Sequence, residues 1–433
     1  MGVEMEGGKP GWNDAMNGLP GLLGSGMPET YEMIRILRCV DRALQQYGRS
    51  VSFPIEFGNF LDAVSAALDA YLESNKSSSS SFLYWDTTNK AREIYREATI
   101  ANFDGTLRTY SAVELQDLLA KIEKKNVEAV AKALATNSGL SPTYFYYECT
   151  GYEIIPPVPN SDPTLPAPAT QVLSKGFSTR QLPLFLEGPT RHLKVIADVE
   201  ERREVYRRTK ASNLYDEALQ MFTISESLAT MGQDVGRMMA FSAGWLENQS
   251  VWLHMSYKFY LELLRGGLYE EFFNEIQTGL VPFMDSAVYG RSPLQAASFI
   301  VSSAFPDPKI HGSSFLARLS GSTAEFLSMW ALMMAGHEPF VVDASGELGL
   351  SLRPLLPGWL FTEDGSIASF TFLGATVVTY HNPKRIDTWK ANPTRASVTF
   401  NDGTTVEDDD AVFGSAVALR VRNLEAKSID VYF

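Results

Sequence analysis

The stretch Thr323-Ala-Glu-Phe-Leu-Ser-Met-Trp-Ala-Leu-Met-Met-Ala-Gly-His-Glu-Pro-Phe-Val-Val342 marks the point where the character of the sequence changes. Its first part has the apolar spacing of a helix over residues 323–335, and its last part is a short β-prone run. Before Gly336 the apolar spacing is mainly helical, whereas after it short apolar runs alternate with turn residues. The sequence therefore predicts a mainly α protein with a C-terminal β part.

Upstream of this switch, apolar residues recur at intervals of three and four, which is the spacing of helices that bury one face. We predict helices within residues 28–137, with a long one over 112–135, and we interpret the polar tract 77–81 as a surface loop. Residues 141–153 are aromatic and β-prone, and a Pro-rich insertion follows at about 154–170, where proline removes helix donors. Further helices are predicted over residues 197–208, 251–264 and 269–280.

After Gly336 we predict strands over residues 340–342, 348–352, 367–372, 375–380, 396–400 and 417–421. Asn401-Asp402-Gly403 lies between two of these runs and is a hairpin signal. We therefore expect two domains, a helical one over residues 1–336 and a small β-sandwich over 337–433.

Composition limits the partners and the compartment. With a formal net charge of −14 and a pI near 5.0, the chain would be repelled by nucleic acid and by anionic membranes. Cys39 and Cys149 are too few for a disulfide framework or a zinc cluster, and no run of about 18 apolar residues occurs. We expect a cytoplasmic protein that binds neither nucleic acid nor membranes.

Four segments carry a resemblance to a known family. They are Trp12-Asn13-Asp14-Ala15-Met16-Asn17-Gly18-Leu19-Pro20-Gly21, Glu187-Gly188-Pro189-Thr190-Arg191-His192-Leu193-Lys194, Glu247-Asn248-Gln249-Ser250-Val251-Trp252-Leu253-His254 and Arg318-Leu319-Ser320-Gly321-Ser322-Thr323-Ala324-Glu325-Phe326. In type and order they resemble glycoside hydrolase family 94, the cellobiose phosphorylase family, and above all its branch acting on β-1,2-linked oligoglucans. The resemblance implies part of an (α/α)6 barrel followed by a jelly-roll-like β-sandwich.

The resemblance also implies an inverting phosphorylase that transfers a β-glucosyl unit to phosphate, giving α-glucose 1-phosphate. Phosphate is already an anion, so such an enzyme needs one carboxylic acid and no general base. By resemblance Asp14 is that general acid, and Trp12 and Asn13 contact the sugar. Asp14 is equally open to interpretation as a helix cap or loop aspartate. Gly11 departs from the family, which usually has an acidic residue there.

By resemblance the phosphate ligands are His192, His254, Ser320 and Gly321, with the helix near Thr323 pointing its amide end at the anion. A simple helix start and structural histidines would explain the same residues. Basic residues beside the motifs could add charge-assisted hydrogen bonds, and these are Arg191, Lys194, Arg291 and Arg318. We expect no metal and no organic cofactor, with inorganic phosphate as the co-substrate.

For the sugar, Glu148 and Glu187 are candidate substrate contacts, although salt bridges would use the same residues. Tyr144, Tyr146 and Tyr147 either form a wall for glucosyl units or belong to the core of a β-hairpin. One alternative function is an inverting β-glucan hydrolase with Glu148 or Glu187 as its base. Another is a truncated, non-catalytic carbohydrate-binding protein. The expected partners are a β-linked oligosaccharide and phosphate, with a homodimer as a possible assembly.

Members of the family carry a β-sandwich and half of the barrel ahead of the acid motif, which here begins at residue 12. We therefore expect an N-terminally truncated member with an incomplete barrel. The isolated chain should release little or no glucose 1-phosphate from β-1,2-oligoglucan and phosphate. Robust release by this chain alone would contradict that expectation.

Overall fold

The structure is a computed structural model that describes residues 2–5, 13–157, 166, 169–316, 320–363 and 367–433. Trp12, Gly11 and Arg318, which the sequence singles out, lie outside these residues. For Asp14 and Ser320 the backbone alone is described.

Twelve α-helices lie in the described residues and confirm the helical character of the first three quarters of the chain. The helix predicted over 112–135 is α5, which begins with a capping box between Ser111 and Glu114. The helices are α1 (Leu19–Leu22), α2 (Met27–Tyr47), α3 (Ile55–Glu73), α4 (Ser78–Thr99), α5 (Ala112–Thr136), α6 (Glu187–Leu193), α7 (Val199–Lys210), α8 (Leu253–Arg265), α9 (Tyr269–Gly279), α10 (Ser286–Tyr289), α11 (Ser320–Ala335) and α12 (Ser415–Arg422).

The prediction of a loop over residues 77–81 is wrong. Ser77 is the N-cap of α4, where its hydroxyl accepts a hydrogen bond from the Ser80 amide at 3.2 Å, and the next four serines and phenylalanine begin the helix. A run of consecutive serines is typical of a linker, but a serine immediately before an apolar run is also a preferred N-cap.

Strands form small sheets, most of them antiparallel. The longest pair, β5 and β6, is a hairpin whose two arms flank the Pro-rich insertion, and β5 also pairs with β2. The strands are β1 (Val3–Glu4), β2 (Gly24–Gly26), β3 (Val51–Pro54), β4 (Leu107–Tyr110), β5 (Tyr144–Ile155), β6 (Gln171–Gln181), β7 (Tyr215–Asp216), β8 (Met221–Phe222), β9 (Val251–Trp252), β10 (Phe299–Ile300), β11 (Ser314–Phe315), β12 (Phe340–Val342), β13 (Leu348–Leu350), β14 (Ile367–Phe372), β15 (Thr376–His381), β16 (Arg395–Phe400), β17 (Thr405–Asp408) and β18 (Ala426–Tyr432).

The C-terminal part is β-rich, as predicted. Its five-stranded sheet has the order β14-β15-β18-β16-β17, in which β15 and β18 run parallel, and β12 pairs with β13. The hairpin signal at residues 401–403 is confirmed, because β16 and β17 pair across it and Gly403 has a φ of +87°.

The strand predicted over 417–421 is wrong, because these residues lie in α12. Alternating Val417, Leu419 and Val421 has the period of a strand. The buried residues are instead Ala418 and Val421, three apart, which is helical spacing, while Leu419 is exposed.

The main hydrophobic core surrounds α8 and includes residues of α6, α9 and α11, with Ala15 and Met16 of the acid motif. A second core lies in the C-terminal part and includes the last residues of α11, Met334 and Ala335. Helices pack in pairs, α2 with α5, α3 with α4, and α8 with α9 and α11, and within the described residues they do not close a barrel. No helix in the described part of the chain is both long and apolar enough to cross a membrane.

Because Ser77 caps α4, replacing it with alanine should lower the free energy of unfolding by about 1 kcal/mol. The control is Ser78→Ala, an exposed position in the first turn of α4, which should change stability by less than about 0.5 kcal/mol. Urea unfolding of both variants measures the difference. Equal stability of the two variants would contradict the assigned cap.

Candidate functional site

Helix α6 carries the motif of residues 187–194 and is fixed by a glycine that no other residue could replace. A Cβ on Gly188 would lie 2.5 Å from the carbonyl oxygen of Ser141. The Gly188 amide donates to the Thr143 hydroxyl at 2.8 Å, and that hydroxyl donates to the Phe185 carbonyl oxygen. The start of α6 therefore lies directly on the segment that leads into β5.

This packing buries Glu187, whose side chain is 3% exposed. Arg191 Nη2 lies 3.2 Å from Glu187 Oε1, and Arg191 Nη1 donates to Glu32 Oε1 of α2 at 2.6 Å. Lys194 Nζ donates to the same Glu32 oxygen at 2.8 Å. Two carboxylates and two cations thus form one network that joins α6 to α2.

The network fixes the charges of its members. Burial opposes ionisation of Glu32, but Lys194 and Arg35 outweigh it and lower its pKa to about 2. Burial also opposes the charge of Arg191, but Glu187 and Glu32 outweigh it and raise its pKa. Arg191 and Lys194 therefore serve the α6–α2 contact, so the structure uses them as ion-pair partners.

Glu29, in the first turn of α2, lies close to this network. Desolvation raises its pKa, and the Glu187 carboxylate raises it further, although the Glu29 side chain is exposed to solvent. Glu29 and Glu32 were missed from the sequence, because they lie outside the motifs.

The second half of the site lies where α8 packs against α11. A Cβ on Gly321 would lie 2.5 Å from His254 Nδ1, so the first turn of α11 rests on the imidazole ring. His254 Nε2 lies 3.7 Å from Glu325 Oε1. Burial opposes ionisation of Glu325, but His254 and Lys258 outweigh it and lower its pKa. The structure thus brings His254 and Gly321 together.

Lys258 lies between the two halves. Its Nζ is 3.9 Å from Glu325 Oε1. Burial lowers the pKa of Lys258, Arg191 lowers it further, and Glu325 and Glu187 oppose the decrease. The Lys258 ammonium therefore interacts electrostatically with the charges around α6 and with Glu325 of α11. The sequence offered one signal for it, its position one helical turn after His254.

His192 points elsewhere. Its ring stacks on Tyr31 of α2, with centroids 5.2 Å apart, and it is 6% exposed. Burial lowers its pKa to about 4. Its Nδ1 has no hydrogen-bond partner among the described residues. His192 is therefore a buried neutral ring in the α2–α6 contact, which is the environment of a structural histidine.

The acid motif begins in a 3-10 helix, Asp14–Met16, and is held by a distant segment. The Arg237 amide donates to Asn17 Oδ1 at 3.1 Å, and the Gly18 amide donates to the Val235 carbonyl oxygen at 3.2 Å. Gly236 has a φ of +125°, and a Cβ there would lie 2.6 Å from the Asn17 amide nitrogen. This close contact fixes the backbone on which Asp14 lies.

Asn13 is the described side chain of this motif with the most unusual environment. It is 0% exposed, and both its Oδ1 and Nδ2 atoms lack a hydrogen-bond partner in the described part of the chain. An unpaired buried amide costs about 1–3 kcal/mol, so the lack of a partner for Asn13 within the described residues calls for a polar group beside it.

Glu148 lies apart from this cluster, on β5, where Arg180 Nε donates to its Oε2 at 2.9 Å. Tyr144 and Tyr146 are buried in the main core, and the Tyr144 hydroxyl donates to Glu187 Oε2 at 3.4 Å. Tyr147 faces the other way, with its hydroxyl 2.7 Å from Ser25 Oγ. Two of the three tyrosines are thus hairpin core, and Glu148 forms the salt bridge that the sequence left open.

Arg291 is partly buried, and no contact in the described residues joins it to this cluster. Across the described ranges, no three His, Cys, Asp or Glu side chains come together as a metal site.

Because native His192 stays neutral down to about pH 4 while the unfolded chain takes up a proton near 6.5, stability should fall as the pH drops through this window. At pH 5 the loss from this residue should be about 2 kcal/mol relative to pH 7.5. In His192→Phe, which keeps a ring against Tyr31, that part of the loss should be absent. Urea unfolding at both pH values measures the double difference, and identical pH dependence would exclude a buried neutral His192.

Comparisons with known proteins leave the roles of these residues open. No protein-family model matches the chain, and no curated protein matches it.

Proposed function

We propose that this chain is an inverting glycoside phosphorylase that transfers a β-glucosyl unit from an oligoglucan, of the β-1,2-linked class, to inorganic phosphate. One observation carries the proposal. Three of the motifs, separated by 50 or more residues in the sequence, supply Arg191, His254 and Gly321 to neighbouring parts of one cluster. Unrelated surface residues would have no reason to converge in this way.

The cluster divides into two chemically different parts. Around α6 the charges of Glu32, Glu187, Arg191 and Lys194 cancel in pairs, so this part is a closed network that supports the site. Around His254 and the start of α11 there are an imidazole, a backbone amide and the positive end of a 16-residue helix, which suit an anion. The phosphate would therefore lie at the start of α11.

The proposed reaction is that of an inverting phosphorylase. A phosphate oxygen attacks the anomeric carbon from the face opposite the leaving group, and the glycosidic C–O bond breaks as the new C–O bond forms. Asp14 gives its proton to the departing oxygen and becomes a carboxylate, which later regains a proton from solvent. Inversion of the β-glucoside yields α-glucose 1-phosphate. No protein base is needed, because the nucleophile is already ionised.

For the fold we propose that the helices are part of an (α/α)6 barrel and that the C-terminal sheets form a β-sandwich. What supports the barrel is that helices pack in pairs and that α6, α8, α9 and α11 share one core. What supports the sandwich is a single core that contains side chains from β13 and from the five-stranded sheet. The domain boundary near residue 336 stays a prediction.

In a form of the protein that shows measurable phosphorolysis, replacing Asp14 with asparagine should lower the rate of glucose 1-phosphate formation by at least about 100-fold, because the amide cannot donate the proton. The assay supplies β-1,2-oligoglucan and phosphate, and its readout is the ratio of the variant rate to the wild-type rate. The control is Asp117→Asn, whose carboxylate is 64% exposed on α5 and should be replaceable without loss. Equal rates for wild type and Asp14→Asn would remove Asp14 from the role.

The same assay without phosphate separates a phosphorylase from a hydrolase. Sugar release that is indifferent to phosphate would favour the inverting hydrolase. Its base would then be Glu187, because Glu148 lies apart from the cluster. Absence of turnover in both conditions, together with oligosaccharide binding, would favour a carbohydrate-binding protein.

A further inference from the structure

Helix α8 carries a lysine to which the resemblance gives no role. Lys258 follows His254 by four residues, so the two side chains leave the helix on the same side. The Lys258 side chain is 22% exposed, so it is mostly enclosed by protein and solvent still reaches part of it. It lies next to the candidate anion site without belonging to any motif.

Lys258 differs from its cationic neighbours in how it is paired. Arg191 contacts two carboxylates, and Lys194 donates to Glu32 at 2.8 Å. The ion contact of Lys258 among the described residues is with Glu325, at 3.9 Å. That separation is longer than a hydrogen bond, so the N–H donors of Lys258 are not used by Glu325.

Glu325 stands in the same relation to His254, whose Nε2 is 3.7 Å away. Glu325 Oε1 therefore faces both groups from beyond hydrogen-bond distance. A phosphate oxygen that approached within hydrogen-bond distance would interact more strongly with both of them than this carboxylate does.

We propose that Lys258 is a phosphate ligand of this site, acting with His254 and the amide end of α11, and that Glu325 is a built-in competitor for the same donors. The inference rests on the proposed function, and in it Lys258 is the cationic ligand of the phosphate. It makes two predictions of opposite sign. Removing the lysine weakens anion binding, whereas neutralising the glutamate strengthens it.

The experiment titrates inorganic phosphate into the full chain by calorimetry at low ionic strength. Lys258→Met should raise the Kd by about 10-fold to 100-fold, the loss of a charge-assisted hydrogen bond. Lys258→Arg should stay within about tenfold of wild type, and Glu325→Gln should lower the Kd by about threefold or more. The matched control is Lys309→Met, an exposed lysine away from the cluster.

Circular dichroism and the Tm without phosphate verify that each variant is folded. General damage to the site would weaken binding in both Lys258→Met and Glu325→Gln, so a lower Kd for Glu325→Gln separates competition from damage. An unchanged Kd in folded Lys258→Met overturns the inference and leaves the proposed function standing. A raised Kd in Glu325→Gln overturns the role of Glu325 as a competitor. Wild type that binds no phosphate overturns it as well. Phosphate binding that depends on Lys258, with sugar release indifferent to phosphate, supports the inference and refutes the phosphorylase.

Discussion

The structure depends on the burial of α8 on nearly every side. Ten of its thirteen residues are buried, so α6, α9 and α11 must all pack around it to remove its apolar surface from water. The three positions left outside are His254, Lys258 and Arg265, which share one side of the helix. Because the surrounding helices leave only this side of α8 uncovered, the solvent-accessible polar side chains of α8 all lie on it.

The polar contacts around that side of α8 follow from its position. Glu187 is buried and Arg191 partly buried between α6 and α2, so removal of Arg191 would leave the Glu187 carboxylate buried without this partner. Their mutual pairing, extended by Glu32 and Lys194, keeps the α6–α2 contact in one arrangement. The ion contacts between α8 and α11 are longer, because His254 Nε2 lies 3.7 Å and Lys258 Nζ 3.9 Å from Glu325 Oε1. One part of the cluster is thus a closed structural network, and the other has donors left for a ligand.

Local patterns in the sequence predicted those features that local physics decides. The α5 helix and the β16–β17 hairpin follow from spacing and turn residues within each segment. The two errors, residues 77–81 and 417–421, arose where a short pattern fits two structures and tertiary packing decides between them. In the site, the adjacency of His254 and Gly321 followed from the resemblance. Glu32 and Lys258 did not, because their partners lie on other helices, and His192 turned toward Tyr31 because α2 buries it.

Helix α11 belongs to both halves of the molecule. Its start, with Gly321 and Glu325, contacts α8, Met329 lies in the main core, and Met334 and Ala335 lie in the C-terminal core. Loosening of the C-terminal sheet would free the last turn of a helix whose first turn belongs to the proposed anion site. A ligand held at the start of α11 would stabilise a helix that both cores share, and it would thereby raise the Tm of strands that it never touches.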